Sequence, residues 1–62
     1  MSAGRSMKTL KSKTVTHRGY EIERILYQSG REWVIVEKMR GVQISSITVN
    51  TITAAERIFA AE

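Results

Sequence analysis

His17 is the only imidazole in the chain, and no cysteine or aspartate accompanies it. A nucleophile needs a base and a group to orient that base, and a catalytic metal needs three or more ligands. Neither set can be assembled from one histidine and scattered glutamates, and no glycine-rich phosphate loop is present. The expectation is therefore a protein without catalysis, without a cofactor or metal, and without a small-molecule substrate. What remains able to do chemistry is positive charge. Arg5, Lys8, Lys11, Lys13 and Arg18 occur with no acid among them, whereas residues 19–62 carry five bases against six glutamates. Lysine and arginine in such a run displace counterions from a polyanion, which makes nucleic acid the first candidate partner.

Further along, Arg24, Arg31, Lys38 and Arg40 are the candidate phosphate contacts on the folded part, two of them in turns that can reach a backbone. Tyr20 or Trp33 could stack on an unpaired base, or both could be core aromatics. Glu21, Glu23, Glu32 and Glu37 oppose this reading wherever they face outward, because they repel phosphate.

The elements that must hold these residues are small. A chain of 62 residues is one domain with a limited core, and the N-terminus has no apolar run long enough for a signal peptide or a membrane span, so a cytoplasmic protein is expected. Residues 1–13 lack apolar periodicity and read as a disordered basic arm, either a phosphate-binding element or a solubilising extension. Residues 14–62 form the domain. The pattern turns extended from Thr14, and a first strand runs from about Tyr20 to Tyr27, either alone or after an earlier extended piece before His17-Arg18-Gly19, where Gly19 allows a turn or bulge; its charges suit a sheet edge. Gln28-Ser29-Gly30-Arg31 is a loop. The stretch Glu32 to Val49 then reads as a β-hairpin, since β-branched residues dominate both apolar runs and Arg40-Gly41 separates them. In its second strand Val42 and Ile44 differ in parity from Ile47 and Val49, so either a bulge at Ser45-Ser46 reunites them or the strand is apolar on both faces.

Thr53-Ala54-Ala55-Glu56 fits a capping box opening a helix, whose apolar stripe is Ala54, Ala55, Ile58 and Ala61 with Phe59 on its flank. The fold class is thus α+β: a three-stranded antiparallel meander followed by one C-terminal helix packed on one face. The ending ITVNTITAAERIFAAE, a strand passing through a threonine-rich link into an alanine- and glutamate-rich helix, resembles in outline the small arm-type DNA-binding domains of tyrosine recombinases. That resemblance implies a sheet inserted into a DNA major groove.

A second partner class follows from the central strand. Trp33 and Ile35 point to one face and Val34 and Val36 to the other, while one helix can cover only one of them. Val34 and Val36 are therefore expected at an interface with a second copy or another protein. The sequence supports two functions, a nucleic-acid-binding accessory or regulatory protein and a protein-interaction or homodimeric module.

Overall fold

The computed structural model describes residues 7–61. Four strands, β1 (Met7–His17), β2 (Tyr20–Ser29), β3 (Glu32–Met39) and β4 (Val42–Val49), are followed by one helix, α1 (Ile52–Ala60). The strands lie in the order β1-β2-β3-β4, each antiparallel to the one before it.

This sheet has one strand more than the expected three. Most of the supposed arm, from Met7 onward, is the first half of β1, while residues 1–6, including Arg5, lie outside the described residues. The reason is that β1 joins through its backbone and needs few apolar side chains: MKTLKSKTVTH alternates lysine with serine and threonine, a polar period-two pattern suited to an edge. It follows that β2 is an interior strand and not the edge.

Two-residue turns make all three hairpins. Arg18-Gly19 and Arg40-Gly41 have both residues at positive φ, and Gly30 has φ 62° as the first residue of its turn with Arg31. The first two match the I′ geometry and the third the II′ pattern that suits twisted strands.

Register settles which face each residue occupies, because directly opposed residues point the same way. Leu26 opposes Ile35, Ile35 opposes Ile47, and Trp33 opposes Val49. On this face α1 lays Ala55 and Phe59, forming a core with Leu26 and Ile35 that Trp33, Val49 and Ile58 flank. The helix therefore covers the Trp33/Ile35 side, with Phe59 at the centre of its stripe and not on the flank.

Two local expectations shift. The bulge in β4 falls at Ile44, where Glu37 opposes Ser45 and Lys38 opposes Gln43, one residue ahead of Ser45-Ser46. The helix begins at Ile52, and its cap is Thr51, whose hydroxyl accepts from the Ala54 amide at 3.2 Å. Moving the cap two residues, from the expected Thr53 to Thr51, puts Ile52 on the same stripe as Ala55 and Phe59. Glu56, freed from a capping box, reaches Lys11 instead. Among the described residues no helix is long and apolar enough to cross a membrane.

Candidate nucleic-acid interface

The lysines of β1 and three of the four strand glutamates lie on opposite faces of the sheet. Lys8, Lys11 and Lys13 oppose Gln28, Leu26 and Arg24 respectively, which puts all three lysines of β1 on the helix side. Glu21 and Glu23 oppose Thr16 and Thr14, and Glu32 opposes Ser29, all on the other side. Glu21, Glu23 and Glu32 are thus turned away from the lysine row, whereas Glu37 shares its face and is paired with Arg24.

Lysine contacts with the helix are light. Lys11 Nζ is 3.5 Å from Glu56 Oε2, with both side chains about half exposed. The Lys13 Nζ stands 5.0 Å from the centre of the Phe59 ring, a cation–π distance, with Lys13 itself half-buried. Beyond the helix a shallow groove of ≈ 510 Å³ continues along β1, lined among others by Lys13, Val15, His17 and Ile22.

Arg24 and Glu37 line the inner end of that groove, but their charges are committed to the fold. Arg24 is 9% exposed, and its Nε donates to Glu37 Oε2 at 2.9 Å. Its Nη1 donates to the carbonyls of Phe59 at 2.9 Å and Ile58 at 3.4 Å, and to that of Ala61. The last carbonyls of a helix lack intrahelical donors and carry partial negative charge, so a guanidinium held there both satisfies and neutralises them. The sequence carried a signal for this role: Arg24 interrupts the apolar parity of β2 between Ile22 and Leu26, and Glu37 does the same in β3 beside Ile35.

The remaining expected contacts divide by position. Arg18 and Arg40 occupy equivalent places in the β1–β2 and β3–β4 turns, with φ 54° and 55°, and both turns lie at one end of the sheet. Both arginines are exposed, and positive φ costs a side-chain-bearing residue energy at each tip. Tyr20, opposite His17, is exposed next to the first tip. Arg31 lies at the far end of the sheet. Lys38 sits on the glutamate-bearing side, opposite Glu23. Trp33 is partly buried against the core, so Tyr20 is the aromatic ring open to stacking. Arg57, not singled out as a contact from the sequence, is exposed in the last turn of α1.

On the face away from the helix, Val36 and its neighbour Ile25 are only 6% and 7% exposed, and Val34 and Tyr27 are half-buried. Val36 thus offers little surface to a partner, while Val34 keeps part of its own.

No family model matches the chain, and neither the curated proteins nor the solved structures contain a match to it.

Proposed function

We propose that the protein is a non-enzymatic nucleic-acid-binding accessory or regulatory protein that contacts phosphates along the helix side of β1 and at the paired hairpin tips. One observation carries this reading: Lys8, Lys11 and Lys13 share a face of an edge strand from which Glu21, Glu23 and Glu32 are turned away. Arg18 and Arg40 extend the positive charge to the sheet end, and Tyr20 offers a ring beside them. Lys38 and Arg31 are peripheral, and Arg24 acts by holding the helix.

DNA is the polymer to test first, on the outline resemblance to the arm-type domains, although the fourth strand departs from that outline. The test is fluorescence anisotropy with duplex and single-stranded oligonucleotides across a salt series. Replacing Lys8, Lys11 and Lys13 by glutamine should lower the slope of log K against log salt by about 0.9 per lost phosphate contact on duplex DNA. Absence of binding at low salt overturns the proposal, and an unchanged slope moves the contact elsewhere.

A further inference from the structure

The two edges of the sheet are built differently. Both edge strands carry a bulge, at Leu10 and at Ile44, but β1 is studded with lysines, which discourage a second strand from adding there. β4 has no charged residue along its length. It is the other edge of the sheet, so a row of its N–H and C=O groups faces outward. Beside that row Val42, Ile44 and Ile47 are 64%, 48% and 42% exposed. An uncharged, apolar edge of this kind is a template for another strand.

The sequence of β4 says which strand. VQIS is followed by SITV, close to a palindrome. In a regular strand the symmetry would fail, because Val42 and Val49 differ in parity and would point to opposite faces. The bulge at Ile44 repairs it. Val42 opposes Met39 and Val49 opposes Trp33, both on the helix side, while Gln43 opposes Lys38 and Thr48 opposes Val34, both on the open side. With Ile44-Ser45 occupying one position against Glu37, β4 reads alike in both directions about Ser46.

We propose that the chain forms a two-fold dimer in which β4 pairs antiparallel with β4 of a second copy, the axis passing at Ser46 and the two sheets merging into one. Val42 of each copy then meets Val49 of the other, Gln43 meets Thr48, Ile44-Ser45 meets Ile47, and Ser46 meets its own equivalent. Such an interface is self-complementary, as a two-fold contact requires. It brings no like charges together and buries β-branched pairs against one another. This dimer does not depend on nucleic-acid binding and is tested without nucleic acid.

The chain has no cysteine, so single cysteines report the register cleanly. Opposed residues of an antiparallel pair have Cα atoms about 4.5–5.5 Å apart, within disulfide reach. Full-length protein should sediment as a dimer at micromolar concentration, and Ser46→Cys should oxidise to a covalent dimer. Thr48→Cys, which faces Gln43, should cross-link more slowly by at least about ten-fold. Ser46→Lys and Ser46→Glu should each be folded monomers by circular dichroism and sedimentation, and mixing them should restore a one-to-one dimer. A monomeric parent, equal cross-linking at positions 46 and 48, or a dimer indifferent to Ser46→Lys overturns the proposal. If the charged variants do not fold, the parent's sedimentation and the cysteine pair decide alone.

Discussion

The Arg24 guanidinium joins Glu37, opposite it on β3, to the C-terminal carbonyls of α1, with a Nε–Oε2 distance of 2.9 Å to the carboxylate. One buried side chain thus ties two strands and the helix together. Replacing Arg24 by alanine leaves a part-buried carboxylate and the helix-end carbonyls without their donor, which should destabilise the fold by about 3–5 kcal/mol. The double replacement Arg24→Met with Glu37→Met should cost less than Arg24→Ala, since no charge is then stranded. Chemical denaturation of the three proteins measures the difference.

Phe59 fills the core beneath Leu26 and Ile35. Its replacement by alanine should remove about 3–5 kcal/mol, enough to leave a domain of this size largely unfolded. Lys13→Gln takes away only the cation above the ring and keeps most of the side chain's length, so it should cost about 1 kcal/mol. Thermal melts of both variants separate the packing role of the ring from its contact with the lysine.

The paired tips set stability against binding. Arg40→Asn puts the preferred residue into a positive-φ turn position ahead of Gly41. Relief of about 1 kcal/mol or less should raise the melting temperature, at about 4–8 °C per kcal/mol for a small domain. On the proposed function the same change should weaken nucleic-acid binding and flatten its salt dependence. A variant that melts higher and binds as before would remove Arg40 from the contact surface.

Removing residues 1–13 takes away more than half of an edge strand along with most of the N-terminal basic charge, because β1 begins at Met7. Such a truncation should lose cooperative melting or melt well below the parent. Glutamine replacement of Lys8, Lys11 and Lys13 should keep the parent's far-ultraviolet circular dichroism, which makes it the cleaner probe of charge.

Much of the architecture was legible because it rests on side-chain pattern. The β3–β4 hairpin follows from its β-branched runs and Arg40-Gly41, and the C-terminal helix from its change of period. β1 was not legible in full, since an edge strand that pairs through its backbone can be written in lysine, serine and threonine. The cap moved from Thr53 to Thr51, whose hydroxyl accepts from the Ala54 amide and whose carbonyl accepts from that of Ala55, a choice between two threonines that the local motif does not settle. At the candidate site, charge composition pointed to the lysines of β1. It could not separate them from Arg24, because only the register shows which cation lies under the helix end and which faces solvent.

Each strand pairs with its immediate predecessor in the sequence, so the sheet can assemble hairpin by hairpin with little loop-closure entropy at any step. The helix closes a far longer span, from Arg24 to the carbonyls of Ile58, Phe59 and Ala61. If that closure follows the main barrier to folding, loss of Arg24 will appear almost wholly in the unfolding limb of a chevron plot and leave the refolding limb in place. The arginine then governs how long the native state lasts, and the hairpins govern how quickly it is reached.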